Sequence, residues 1–189
     1  ERDIMALDLE TREQLIDTVR RFVSERLRPL EAKVSEDDAM PPELVNEMKE
    51  LGLFGLSIPA EYGGLDLSME DECLVAVELG RTSPAFRSTF GTNVGIGSQG
   101  LVMFGTEDQK AKYLPGIASG DIITSFALTE PEAGSDSAAV QTRAVLDGDH
   151  YVLNGSKRYI TNANKADLFT VMTRTDATKP GAGGVSAFL

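Results

Sequence analysis

The sequence has no tryptophan, one cysteine and one histidine, and aromatic residues make up only 6% of its 189 positions. A single cysteine, Cys73, excludes an intramolecular disulfide scaffold and fits a reducing compartment. Its apolar setting, Cys73-Leu74-Val75-Ala76-Val77, predicts a buried, inert thiol. The lone histidine, His150, follows the turn-like Asp147-Gly148-Asp149, which predicts a solvated hairpin. A multi-histidine metal site is therefore excluded, and a Ser-His-Asp hydrolase is disfavoured. Positive charge is also scarce: 18 basic residues against 30 acidic ones give a net charge of −12. That balance argues against a nucleic-acid partner, although helix ends and turn amides can still hold a small anion. No apolar run approaches the roughly 20 residues of a membrane span, and Glu1-Arg2-Asp3 opens no apolar leader. The location expected on these grounds is the bacterial cytoplasm or the mitochondrial matrix.

What is present is ordinary globular material, 41% hydrophobic and 25% charged, in a chain able to bury roughly 70% of its unfolded surface. Leu15, Ile16, Val19, Phe22, Val23, Leu27 and Leu30 recur at i, i+3, i+4 spacing and predict one helix from Leu9 to Leu30. Thr11 and Gln14 have capping-box spacing near its start, and Pro29 marks its end. A second helix is predicted from Pro42 to Gly52, and a third from Ser68, with Asp71 at the capping-box position, to Gly80. Pro84 to Gly105 carries Gly91, Gly95, Gly97 and Gly100 before its last residue, yet no strand alternation. It reads as a buried helix whose bare positions admit either a ligand or a closely packed neighbour. Thr106 to Gln109 opens a short helix ending at Leu114-Pro115-Gly116.

After Gly120 the hydrophobic period changes from 3.6 to 2. Strands are predicted at Ile122–Thr129, Val140–Leu146, Tyr151–Leu153, Lys157–Thr161 and Leu168–Thr173, with turns at Asp147-Gly148 and Asn154-Gly155. Helices before strands indicate the α+β class. The expected organisation is an N-terminal all-α helical domain over 1–118 and a β-barrel-like domain over 119–189. The last segment, Val185 to Leu189, reads as a strand, so the natural protein is expected to continue and complete that domain.

Two segments carry the chemistry. In Phe126-Ala127-Leu128-Thr129-Glu130-Pro131-Glu132-Ala133-Gly134-Ser135-Asp136 a strand delivers Thr129 to its end and a stiffened turn follows. The turn amides could face an anion, and the small side chains Ser125, Ala127 and Thr129 on one strand face leave space for a flat group. A plain β-turn with local Ser and Asp hydrogen bonds is the alternative. In Asn154-Gly155-Ser156-Lys157-Arg158-Tyr159-Ile160-Thr161-Asn162-Ala163 a turn leads to an aromatic, an aliphatic and a hydroxyl residue. Periodicity alone makes this only a hairpin with a packing aromatic.

Together these segments resemble the acyl-CoA dehydrogenase family, whose middle domain pairs a T-E-P-x-A-G-S-D turn with N-G-x-K-x-W-I-T-N. Ile58-Pro59-Ala60-Glu61-Tyr62-Gly63-Gly64 and Gly105 to Leu114 resemble further family segments. The resemblance implies an FAD enzyme that oxidises an acyl-CoA thioester to its trans-2-enoyl form, by α-proton abstraction and β-hydride transfer to flavin N5. It implies Phe126, Leu128, Thr129, Gly134, Ser135, Tyr159, Ile160 and Thr161 as cofactor contacts. Thr129 would donate to the flavin, Ser135 would lie toward the pyrophosphate and the CoA arm, and the Thr161 hydroxyl would lie near N5. Tyr159 stands where tryptophan is usual. Ser88, Thr89 and Thr92 match positions lining the acyl pocket, so with Ser135 they are the implied substrate contacts. Implied partners are acyl-CoA, an electron-transferring flavoprotein and further copies of the chain in a dimer or tetramer. The family's catalytic glutamate belongs to a C-terminal four-helix domain that nothing here resembles. No catalytic base and no metal ligand are therefore assigned, Glu130 is read as a local hydrogen-bond acceptor, and the chain alone is expected to be inactive. An acyl-CoA oxidase or flavin monooxygenase on the same scaffold, and a short non-catalytic binding module, are the competing readings.

Overall fold

A computed structural model describes residues 6–189, which fall into two compact units, one up to Ile122 and one from Ile123. In the first, α1 (Leu9–Phe22) is capped by Asp8, whose carboxylate accepts the Thr11 amide at 2.9 Å and the Thr11 hydroxyl at 2.7 Å. The helix thus begins earlier than the Thr11–Gln14 spacing suggests. Pro29 does not end the helical path either. Val23–Leu27 widen into a π turn and Arg28–Leu30 tighten into a 3₁₀ turn, leading directly into α2 (Glu31–Asp37). Pro29 falls in the opening of the 3₁₀ turn, where a missing N–H costs least.

The next two helices, α3 (Pro42–Glu50) and α4 (Met69–Leu79), follow the sequence pattern. Cys73, however, lies on the exposed side of α4, since its apolar neighbours Val75 and Leu79 are the ones buried. Ser68 caps α4 in two ways, accepting the Asp71 amide at 3.2 Å and donating to the Asp71 carboxylate at 2.6 Å. Asp71, 1% exposed, also receives Arg12 Nε at 2.7 Å and so pins α1 to α4. Ser68→Ala is expected to lower stability by about 1–2 kcal/mol, because it removes a cap and one partner of a buried carboxylate. An unchanged urea midpoint would rule this out.

The glycine-rich stretch is two helices, α5 (Pro84–Val94) and α6 (Gln99–Phe104), with a break at residues 95–98. Gly95 and Gly97 lie in that break, where the weak helix preference of glycine is concentrated. The capping box of Thr106 and Gln109 opens α7 (Glu107–Ser119), which passes through Pro115 and stops only at Gly120, φ +78°. One lost backbone hydrogen bond at Pro115 does not end the helix, because Leu114, Ile117 and Ala118 stay buried on one stripe. Phe54 and Phe90, both essentially buried, pack with ring centroids 6.0 Å apart at the centre of this unit.

The second unit is a five-stranded mixed sheet of β1 (Thr124–Ala127), β2 (Arg143–Asp147), β3 (His150–Asn154), β4 (Leu168–Arg174) and β5 (Val185–Phe188). Its order is β1-β4-β2-β3, with β5 also paired to β4. β1 and β4 are parallel, while β2 and β3 form a hairpin closed by Gly148 at φ +62°. The sheet is α+β material as expected, yet it is open and not a barrel. The hairpin meets β4 at a single register pair, Arg143 with Arg174, so its far strand finds no partner with which to close. The predicted strand at Lys157–Thr161 does not form, since Tyr159 (φ +58°) and Asn162 (φ +63°) turn out of the extended region.

Candidate functional site

The two sequence segments lie side by side. The Arg158 amide donates to the Thr129 carbonyl at 2.8 Å, and the Ser125 hydroxyl donates to the Thr161 carbonyl at 2.6 Å. Ser125 and Ala127 are buried, so the small-residue face of β1 is covered and offers no slot for a flat group. The Gly155 α-carbon closes on Thr142, the residue before β2: a methyl group there would lie 2.4 Å from Thr142 Oγ1. Asn154-Gly155 is thus a close approach and not a hairpin turn.

One buried ion pair organises both segments. Lys157 Nζ donates to the Leu128 carbonyl at 2.9 Å, to Glu130 Oε1 at 2.8 Å and to the Met172 carbonyl of β4 at 2.7 Å. Glu130 in turn accepts the amides of Gln141 at 2.7 Å and Thr142 at 2.9 Å. Burial pushes the Glu130 carboxyl up, but Lys157 and these donors outweigh it and hold the group at about 2. A carboxylate so stabilised and so fully engaged is an acceptor, though for donors 11 to 27 residues away and not the local ones expected, and a poor proton base.

Past Glu130 the chain doubles back through a reciprocal backbone pair with Ala133, which leaves Gly134, Ser135 and Asp136 exposed. Among the described residues their amides donate no hydrogen bond, so the turn presents free donors in sequence. Phe126, Leu128, Thr129 and Ile160 are half-buried beside it, and Thr161 is exposed. Tyr159 is 78% exposed, with the Arg158 guanidinium 4.5 Å from its ring centroid. A tyrosine at φ +58° costs about 1 kcal/mol or more, and this one recovers little by burial.

Ser88, Thr89 and Thr92 belong to the first unit and stay on α5. Ser88 is exposed and bonds the Pro84 carbonyl at 3.0 Å, Thr89 bonds the Ala85 carbonyl at 3.2 Å, and Thr92 is buried. Sequence reasoning overlooked three supporting residues. Lys157 is one. Buried Asn93 bonds the carbonyls of Ile117 and Ile122 at 3.0 and 2.8 Å. Arg174 bonds the carbonyls of Val140 and Ala138 at 3.0 and 2.7 Å, behind the Gly134–Asp136 turn. Lys157 stands at the fixed lysine of the N-G-x-K-x-W-I-T-N pattern, which signals it without giving a role, whereas no local pattern flags Asn93 or Arg174, since these carbonyls lie 24 to 36 residues away.

A helical unit followed by an open sheet, with an exposed aromatic, exposed hydroxyl residues and a turn of free amides on two clamped segments, suits a flat cofactor bearing phosphate. Residues 9–121 match the model of the acyl-CoA dehydrogenase N-terminal domain and residues 125–189 that of the acyl-CoA dehydrogenase middle domain, and the chain belongs to this family. It is 39% identical over 181 residues to the short-chain-specific acyl-CoA dehydrogenase of Clostridium acetobutylicum, covering 95% of this chain and 48% of that protein. The solved structure of a glutaryl-coenzyme A dehydrogenase in complex with glutaryl-CoA has a TM-score of 0.87 at 36% identity, covering 97% of this chain and 47% of that one. A glutaryl-CoA dehydrogenase of Mycobacterium smegmatis in complex with FADH2 has a TM-score of 0.80 at 36% identity, covering 96% and 45%. The chain spans about half the length of the Clostridium relative.

Proposed function

We propose that these residues serve an FAD-dependent dehydrogenase that introduces the 2,3 double bond into an acyl-CoA thioester. The observation that carries the reading is the pairing of the Thr129 and Thr161 segments, joined by the 2.8 Å bond from the Arg158 amide, in a chain that matches both family domains. The residues fit the cofactor: Tyr159 offers a ring face, Thr129 and Thr161 offer hydroxyl donors, and the amides of Gly134 and Ser135 suit pyrophosphate. FAD, when bound, supplies the hydride acceptor for the acyl β-carbon. The chain's own part is to hold and polarise: Tyr159 and Ile160 would offer packing surface to the ring, and the Thr161 hydroxyl would supply a donor for negative charge on it. Ser135 would lie toward the CoA arm; for Ser88, Thr89 and Thr92, in the other unit, the acyl-chain role rests on the family resemblance alone, since Ser88 and Thr89 bond carbonyls of α5 and Thr92 is buried. By the family resemblance the base that takes the α-proton lies in a domain outside these residues, and Glu130, committed to Lys157, is not a substitute for it. An electron-transferring flavoprotein takes the electrons, the full protein is a homo-oligomer, and a reducing compartment houses it. The structure contributes here only that no helix among the described residues is long and apolar enough to cross a membrane.

The test is anaerobic mixing of the full-length enzyme with acyl-CoA substrates of several lengths. Flavin bleaching followed by slow reoxidation in air supports a dehydrogenase, and rapid peroxide formation would make it an oxidase. Thr161→Val is expected to slow bleaching by roughly 2–3 kcal/mol of barrier through loss of one preorganised donor. A wild-type rate would reduce Thr161 to a packing residue. The 189-residue chain alone, mixed with FAD and the same substrates, should not bleach.

A further inference from the structure

We propose that Lys157 is a positioning residue that holds Tyr159–Thr161 in its cofactor-competent shape, an inference that rests on the flavin reading above. An ammonium group has three protons, and here all three are spent on the chain itself: on Leu128 at 2.9 Å, Glu130 at 2.8 Å and Met172 at 2.7 Å. None remains for a phosphate, so Lys157 acts through the backbone it anchors. That backbone then does something costly. Two residues later Tyr159 takes a left-handed φ of +58°, while Asn162, a residue that enters this region readily, follows at +63°. The segment is hung between fixed points: the Lys157 ammonium, the Arg158 amide on Thr129, and the Thr161 carbonyl on Ser125. Of these the ammonium alone engages three separate acceptors and carries charge into a site where its side chain is only 13% exposed. Loss of that anchor lets the strained segment relax toward ordinary extended backbone. Tyr159 and Thr161 would then move together.

Two measurements on the full-length protein separate this from the flavin reading. Amide hydrogen exchange of Arg158–Thr161 in the apoprotein reads the positioning directly. Lys157→Met should speed that exchange at least tenfold, with a smaller change in Lys157→Arg, which keeps the charge. In the holoprotein Lys157→Met should raise the FAD dissociation constant about tenfold or more and alter the visible circular dichroism of the flavin. If Lys157→Met does not fold, Glu130→Gln carries the same readouts with smaller changes, because it leaves a neutral acceptor for Lys157. Unchanged exchange at Arg158–Thr161 in the folded variants would overturn the positioning role. So would wild-type FAD affinity together with an unaltered flavin spectrum. A wild-type protein that binds no FAD, but whose exchange responds to the substitutions, would instead overturn the flavin reading.

Discussion

Glu130→Ala is expected to destabilise the sheet unit by about 3–5 kcal/mol, the cost of stranding a buried partner charge. The side chains of Glu130 and Lys157 are 5% and 13% exposed, so neither gains much from water once the other is gone. The amides of Gln141 and Thr142 would lose their acceptor as well. The same pair predicts an acid limb. Glu130 sits at about 2 in the folded chain against 4.5 when free, so its contribution is complete above pH 4.5 and fades as the pH falls toward 2. Each tenfold gain in acidity is worth about 1.4 kcal/mol, so the whole contribution amounts to roughly 3 kcal/mol. Denaturant unfolding of the wild type and Glu130→Gln between pH 7 and pH 2.5 should therefore converge at low pH. Parallel curves across that range would show that the pair contributes no linked stability.

Gly64→Ala should be equally severe for the helical unit, at about 3–5 kcal/mol, because the added methyl has nowhere to go. Its carbon would lie 1.9 Å from the Ile58 carbonyl oxygen and 2.5 Å from the carbonyl carbon. That backbone cannot retreat: Ile58 is fully buried, and its carbonyl already accepts the Asp66 amide at 3.0 Å. The Leu65 and Leu67 amides fasten the same loop to Gly55 and Leu56, both at 2.8 Å. Gly63, the adjacent residue, makes the control. Its φ of +84° is strained for alanine, but nothing lies within 4 Å of the added carbon, so Gly63→Ala should cost only about 1–2 kcal/mol. Comparable midpoints for the two variants would mean that the loop yields and the close approach carries no weight.

Much of the architecture was legible from short-range chemistry. Ser68 with Asp71, Thr106 with Gln109, and the glycine stop at Gly52 each act within a few residues, so spacing alone locates those helix ends. The switch of hydrophobic period separates helical from sheet material for the same reason, since each residue's neighbours on a face are fixed by local geometry. Misreadings fell where local preference is weak or is outvoted. Pro29 and Pro115 break helices in isolation, but buried stripes on either side keep the chain helical. Cys73 sits in an apolar run whose buried stripe passes through its neighbours and leaves it outside.

For the candidate site the division follows the range of the forces. The sequence alone singled out the segments that hold Thr129 and Thr161 and marked Glu130 as an acceptor, but it put Thr161 on a strand that does not form and expected local donors for Glu130, whose partners Gln141, Thr142 and Lys157 lie 11 to 27 positions away. It could not place those segments side by side, since their contacts join residues 27 to 36 positions apart. Nor could it give Lys157 its three acceptors or turn Tyr159 left-handed. A lysine in a polar run is by default solvated, and a tyrosine by default extended. Only a folded interior that withholds water from the ammonium, while offering it two carbonyls and a carboxylate, reverses both defaults.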